Sequence, residues 1–165
     1  MAIWSRIKKL SLKQLFLLVK TFVKYPIYFF PTQRATTRTM AICDKLFGKA
    51  HHKNNATNAF RHALWNILIA YYCYQKNNSV EKSVRWAKTI TDLHEKIAPN
   101  IPIETTMDLH NNAIGRQLFI ENKLHIASEN DVVDLLLKKL KSSVLVSSID
   151  DINKQSVNFV HLELA

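Results

Sequence analysis

Apolar residues recur every three to four positions along most of the 165 residues of this chain. That spacing places them on one side of a helix and is typical of amphipathic helices that pack together. The pattern predicts an all-α fold, a compact bundle of about five to six helices. In the main body the predicted helices lie at residues 39–47, 56–75, 79–97, 104–121 and 129–141.

Polar segments separate these helices. Residues 31–38 (PTQRATTR) predict a polar connection, and either Asn55 or Thr57 can cap the helix that follows the next polar loop. Beyond the last helix the helical period is lost. Residues 142–148 and 158–164 are β-branched or alternating in character, which predicts a short C-terminal strand or an irregular tail.

The N-terminal segment, residues 1–30, differs from the rest because lysines and arginines are interspersed among its apolar and aromatic residues. Lys20 and Lys24 interrupt the apolar run and Pro26 ends it, so the segment is too short to span a bilayer. It predicts a basic amphipathic helix that either lies on an anionic bilayer or packs on the rest of the chain. Residues 31–165 are predicted to form a single helical domain.

Peripheral membrane contact would run through residues 3–30, with Phe16, Leu17 and Phe22 expected to touch lipid. The residues after the apolar stretch are not the small ones of a cleavage site, so no cleavable signal peptide is predicted. The expected location is cytoplasmic, at the periphery of the inner membrane.

Composition narrows the class of protein and of partner. Two glycines and four prolines argue against a turn-rich β fold. Cys43 and Cys73 have neither a disulfide-framework nor a metal-type spacing, which fits a reducing compartment. Lys plus Arg number 23 against 13 Asp plus Glu, a formal charge of +10. Such an excess suits nucleic acid, an anionic lipid surface or a phosphorylated substrate, although solubility alone also accounts for it.

The candidate chemistry centres on an Asp-Leu-His phrase that occurs twice, at Asp92 and sixteen residues later at Asp108. Both copies, and an upstream segment around His62, lie in helices that are predicted to be buried. Polar groups in such places cost several kcal/mol unless they are paired with one another or with a ligand, so we expect a site. The candidate residues are Asn58, Arg61, His62, Asp92, His94, Glu95, Asp108, His110, Asn112 and Arg116.

Helical geometry leaves two arrangements open. In the first, His62, His94 and His110 converge with one carboxylate such as Asp108, a set that suits zinc or another first-row metal. In the second, carboxylates and an amide converge with His62, which suits magnesium, manganese or calcium. The residues of this second set are Asp92, Glu95, Asp108, Asn112 and His62. Gly115 shares a face with Asp108 and would let a backbone or a substrate approach.

Roles follow from residue types. The expected cofactor is a divalent metal ion, Zn, Mn or Mg, with ligands among His62, His94, Asp108 and His110. His62, Glu95 and Asp92 are the candidates for proton transfer. Substrate binding is assigned to two cations and two amides, namely Arg61, Arg116, Asn58 and Asn112.

Three phrases, NAFRHALWN at 58–66, TDLHE at 91–95 and TMDLHNNAIGR at 106–116, together resemble a bacterial domain family of unknown function. The resemblance covers about residues 50–120. Similar domains occur alone and near the C-termini of large secreted proteins of the wall-associated and polymorphic-toxin types. That context implies a small hydrolytic or nuclease domain, and no established activity comes with it.

Three functions therefore stay open. The first is a metal-dependent hydrolase of a phosphoester, in RNA or a phospholipid. The second is a metal-independent, His-based enzyme similar to a ribonuclease. The third is a non-catalytic helical module associated with a membrane or a nucleic acid, in which the buried polar residues form a structural network.

Overall fold

The structure, a computed structural model, describes residues 11–97 and 100–162. Within these residues the helices are α1 (Leu12–Lys24), α2 (Phe29–Phe47), α3 (Ala56–Asn77), α4 (Val80–Ile97), α5 (Pro102–Glu121), α6 (Glu129–Leu140) and α7 (Ile149–Asn153). Short 3-10 turns lie at Pro26–Tyr28 and Ala50–His52, and the strands are β1 (Val144–Val146) and β2 (Val160–Leu162). The all-α prediction is confirmed. Predicted elements at residues 3–10 and 163–164 lie outside the described part.

Helix α3 lies at the centre and packs against α2, α4, α5 and α6. Both of its sides are apolar, with Phe60, Leu64 and Ile67 fully buried on one and Ile69 on the other. A helix that is apolar all round is buried all round, which explains why neighbours surround α3. Asn55 caps its start, accepting hydrogen bonds from two backbone N–H groups of the first turn at 3.0 and 3.3 Å.

Residues 31–38, predicted as a polar connection, belong to helix α2 instead. The Thr32 and Thr36 hydroxyls donate to carbonyls four residues earlier, at 2.7 and 2.8 Å. They also accept from the indole N–H groups of Trp86 and Trp65, both at 2.9 Å. Because these partners satisfy the threonines, a polar stretch can remain helical against the core. Pro31 lies in the first turn of α2, where a helix tolerates proline.

The predicted C-terminal strand is present as half of a parallel pair, in which Val144 lies opposite Val160. The Asn111 side chain of α5 pairs with the Val160 backbone, donating to its oxygen at 2.9 Å and accepting from its N–H at 3.0 Å. Met107, Val146 and Ile152 pack beside Val160 in a second small core. The strand pair is thus attached to helix α5.

Helices α3 and α5 approach each other closely at Gly115. A Cβ at this position would lie 2.6 Å from the backbone oxygen of Ala63, well inside van der Waals contact. Only glycine therefore allows this approach. The contact holds the Asp108 face of α5 against the His62 face of α3.

Helix α1 lies along one flank of α4. The Gln14 side chain donates to the Ile97 backbone oxygen at 2.8 Å, and the Phe22 ring meets the Trp86 ring edge-on at 5.7 Å. Pro26 follows the end of α1, as predicted. Among residues 11–97 and 100–162, no helix combines the length and the apolar character needed to cross a membrane.

Candidate metal centre

His62, Glu95 and Asp108 come together from three helices. One potential ligand atom from each lies within 4.8 Å of those from the other two. Asp108 Oδ1 lies 3.2 Å from His62 Nε2, and Glu95 Oε1 lies 3.8 Å from His62 Nδ1. The three residues are 3%, 6% and 4% exposed in the order His62, Glu95, Asp108. They meet because α3 and α5 begin at the end of the bundle where α4 ends.

A chain of hydrogen bonds fixes which nitrogen of His62 carries the proton. Arg116 has only donors and lies 2.9 Å from Asn66 Oδ1, so that oxygen accepts. The amide nitrogen of Asn66 then donates to Asn112 Oδ1 at 2.7 Å. His62 Nδ1 lies 3.2 Å from the same oxygen and must therefore donate to it.

This tautomer leaves a lone pair on His62 Nε2. Arg61 Nη2, which can only donate, lies 2.9 Å from that nitrogen and agrees with the assignment. A histidine that donates from Nδ1–H and keeps a lone pair on Nε2 is in the tautomer that binds metal ions in proteins. Asn112 thus orients His62, and its amide nitrogen also lies 3.4 Å from Glu95 Oε1 as a donor.

The pKa values of the Glu95 and Asp108 carboxyls lie near neutral pH. Burial, together with the nearby charge of Asp108, raises the pKa of Glu95 to about 8, against the lowering effects of Asn112 and Arg61. Burial likewise raises the pKa of Asp108 to about 7, against the lowering effect of Arg61. Both carboxyls therefore sit where a proton and a cation compete for the same oxygens.

The residues present fit a divalent cation. Asp108 Oδ1 is buried and has no hydrogen-bond donor among the described residues, and it faces the lone pair of His62 Nε2. Two acceptors this close repel each other, so a proton or a cation between them would stabilise the pair. One imidazole and two carboxylates are hard and borderline donors that suit zinc or manganese, and a three-ligand set leaves positions for water or substrate. The group could therefore hold a metal ion.

A cleft of about 570 Å³ between α4 and α5 reaches this buried group. Glu95 lines it and thus belongs to both the group and the cleft. Lys88, Lys96 and Arg116 supply positive charge along the walls, and Asp92 supplies one further carboxylate. Burial lowers the pKa of the Arg116 guanidinium, in part offset by Asp92. The cleft walls suit an anionic ligand.

The structure places the remaining sequence candidates outside the buried group. Asp92 pairs with Lys88 on the cleft wall. The His94 ring packs edge-on against Trp65 with ring centres 5.1 Å apart. His110 Nε2 lies 2.9 Å from the backbone oxygen of Asn158, as a donor. What assembles around His62 is Glu95, Asp108 and Asn112, the second of the two arrangements without Asp92.

Asn58 lies one turn before His62 and is 2% exposed, and its Oδ1 has no partner among the described residues. Sequence reasoning missed Asn66, one turn after His62, which links Arg116 to Asn112. It also missed Thr91, which is fully buried with its hydroxyl 3.3 Å from Asn66 Oδ1. The signal for Asn66 was present: residues 58, 62 and 66 follow a four-residue spacing on one face of α3.

A second group of potential ligands within the described residues comprises Asp44, His51 and His52. His51 is fully buried, and its Nε2 lies 2.9 Å from Asp44 Oδ1. The side chain of Asp44 is 58% exposed, so water screens this pair. The group around His62 is the better candidate because all three of its members are buried.

The sequence model of one family, a domain of unknown function (DUF6973), matches residues 19–144. The match spans most of the chain and includes α2 to α6 with the whole of the buried group. No curated protein and no solved structure matches the chain. The chain therefore belongs to the DUF6973 family.

Proposed function

We propose that this member of the DUF6973 family is a metal-dependent hydrolase that cleaves a phosphoester at the buried group. The observation that carries the proposal is the convergence of His62, Glu95 and Asp108 with the His62 tautomer already set for ligation. The buried Oδ1 of Asp108, which has no hydrogen-bond partner among the described residues, supports it, because a cation would satisfy that oxygen. Asn112 also supports it, because its Oδ1 accepts a hydrogen bond from His62 Nδ1, and metal-binding histidines are oriented by such a partner.

The proposed ligands are Nε2 of His62 and a carboxylate oxygen from each of Asp108 and Glu95. A bound divalent ion would lower the pKa of a water molecule and polarise a phosphoryl oxygen. Glu95 alone among the three lines the cleft, so we assign to its second oxygen the role of accepting the proton of the attacking water. Water would add to phosphorus as the bond from phosphorus to the ester oxygen breaks, and the proton taken up by Glu95 would pass to the leaving oxygen.

The substrate would enter along the cleft between α4 and α5. Arg116, Lys88 and Lys96 on its walls are proposed to attract a phosphate, and Arg61 would bind it next to the ion. A phosphodiester is the chemistry shared by RNA and by phospholipid headgroups, and it suits the formal charge of +10. A small hydrolytic domain of this kind would also suit a toxin-type context.

The test measures metal content and turnover of bis(p-nitrophenyl) phosphate, a soluble phosphodiester. The wild-type protein should lose activity in excess chelator and regain it with zinc, manganese or magnesium. His62→Ala should lose both bound metal and turnover. His94→Ala is the matched control, since this histidine lies outside the buried group and its loss should leave metal content unchanged.

Full activity in excess chelator would favour a second candidate, metal-independent acid–base catalysis. One observation favours it: a protonated Asp108 would donate directly to His62 Nε2 over 3.2 Å, and the pKa of Asp108 is raised to about 7. Loss of stability in His62→Ala with no measurable turnover in any protein would favour a structural network instead.

A further inference from the structure

Helix α1 has two apolar faces. On the inner face Leu17, Leu18 and Phe22 are half-buried against the core. On the outer face Leu12, Phe16, Val19 and Val23 are 86%, 68%, 51% and 74% exposed. We call these four residues the outer stripe. No residue of α1 is fully buried, so the helix lies on the surface of the bundle.

Helical geometry puts the two faces on opposite sides. At about 100° per residue, the outer stripe falls within an arc of roughly 60°, and Leu17 and Leu18 lie well over 90° from its centre. Phe16 therefore faces solvent, whereas Leu17 and Phe22, also expected to touch lipid, face the protein. The stripe is not a by-product of packing, because the inner face alone attaches α1 to the bundle.

Positive charge borders the stripe on one side. Lys13, Lys20 and Lys24 lie roughly 70–110° from its centre at about 100° per residue, and all three are exposed. No acidic residue precedes Asp44 in the chain. An apolar stripe flanked by lysines is the pattern of a helix that lies in a membrane interface, where long side chains reach the headgroups.

We propose that the outer stripe docks on an anionic lipid bilayer with α1 parallel to the surface. The apolar side chains of the stripe would be buried in the bilayer, and Lys13, Lys20 and Lys24 would form ion pairs with lipid phosphates. A second copy is the poorer occupant, because pairing two stripes would bring like charges together with no acidic side chain on α1 to offset them. The helix has 13 residues, or about 20 Å, which suits lying flat.

Hydrogen bonds of Gln14 fix the start of α1 and join it to the end of α4. A capping box at Ser11 and Gln14 fixes the start of α1, and the same Gln14 binds the Ile97 oxygen at the end of α4. Docking therefore needs no unfolding of the bundle. It is independent of the proposed hydrolase activity, since lipid binding requires no turnover.

The experiment is cosedimentation with vesicles of phosphatidylcholine, with and without one quarter phosphatidylglycerol. The wild-type protein should bind the anionic vesicles, and binding should weaken with salt. The variant Phe16→Ser/Val19→Ser/Val23→Ser should lose at least about tenfold in partitioning. The variant Lys13→Gln/Lys20→Gln/Lys24→Gln should lose binding to anionic vesicles by a similar factor.

The matched control changes three apolar residues elsewhere that are exposed to a similar degree: Ile126→Ser/Leu145→Ser/Val157→Ser, at 75%, 51% and 51%. It should bind vesicles like the wild type, and all variants should melt near the wild-type temperature. The proposal is overturned if the wild type does not bind anionic vesicles or if the stripe variant binds them as well as the wild type does. It is also overturned if sedimentation without lipid shows that the wild type is a dimer and that the only effect of the stripe substitutions is to make it a monomer. Turnover of the soluble phosphodiester is read separately.

Discussion

Replacing Asp108 with asparagine tests the electrostatics of the buried group. Burial raises the pKa of this carboxyl from 3.8 to about 7 in the folded protein. Between those values the unfolded chain binds fewer protons than the folded one, so stability falls as pH rises through this window. Each pKa unit corresponds to about 1.4 kcal/mol, so ionised Asp108 opposes folding by up to about 4 kcal/mol above pH 7.

Asparagine keeps the shape of the side chain and never ionises. We therefore expect the stability of Asp108→Asn relative to the wild type to rise by about 2–3 kcal/mol between pH 5 and pH 8 in chelator. Urea denaturation at the two pH values measures both free energies of unfolding. Removing the charge of Asp108 should also lower the pKa of Glu95, which adds to the gain of the variant at pH 8.

Asp92→Asn is the control, because its carboxylate lies on the same helix pair but is only partly buried and is paired with Lys88. A surface ion pair contributes about 0–1 kcal/mol, so this variant should show no comparable pH-dependent gain. Adding manganese or zinc at about 100 times the dissociation constant should stabilise the wild type by about 2.7 kcal/mol and the Asp108 variant by much less. The reasoning is refuted if, in chelator, the free energy of unfolding of the wild type increases relative to that of Asp108→Asn between pH 5 and pH 8.

Two further changes probe how α5 is positioned. Gly115→Ala should destabilise the protein by about 1–3 kcal/mol in urea denaturation, since its Cβ would lie 2.6 Å from the Ala63 backbone oxygen. Alanine has a higher helix propensity than glycine by about 1 kcal/mol, and a gain of that size would contradict the close contact. Asn112→Ala should weaken metal binding about 10- to 100-fold in titration calorimetry by freeing the His62 ring, and unchanged affinity would exclude the positioning role.

Much of the fold follows from local pattern. Helices α3 to α6 begin and end within about two residues of their predicted bounds, because apolar periodicity and capping residues act over short range. The region 31–38 could not be predicted as helical, since its threonines are stabilised by Trp65 and Trp86, which are 29 and 54 residues away in the chain. A tertiary contact decided the local structure there.

The site shows the same division between local and tertiary information. The four-residue spacing along α5 puts Asp108 and Asn112 on one face, and that much is readable from the sequence. Which face meets His62 depends on how α5 is rotated about its axis, and the close contact at Gly115 sets that rotation. His110 consequently turns toward the C-terminal strands, where Asn158 accepts its hydrogen bond. The sequence of α5 alone does not determine this rotation.

Arg61 explains how two neighbouring carboxyls can stay buried. Its positive charge lowers the pKa of both Glu95 and Asp108, and its guanidinium lies 2.9 Å from His62 Nε2. That nitrogen is also the proposed metal ligand, so Arg61 and a divalent ion would compete for one lone pair. An entering ion would take over the charge compensation and repel the guanidinium. Since Arg61 is only partly buried, it can turn outward, and an arginine displaced beside the ion is well placed to bind a phosphate.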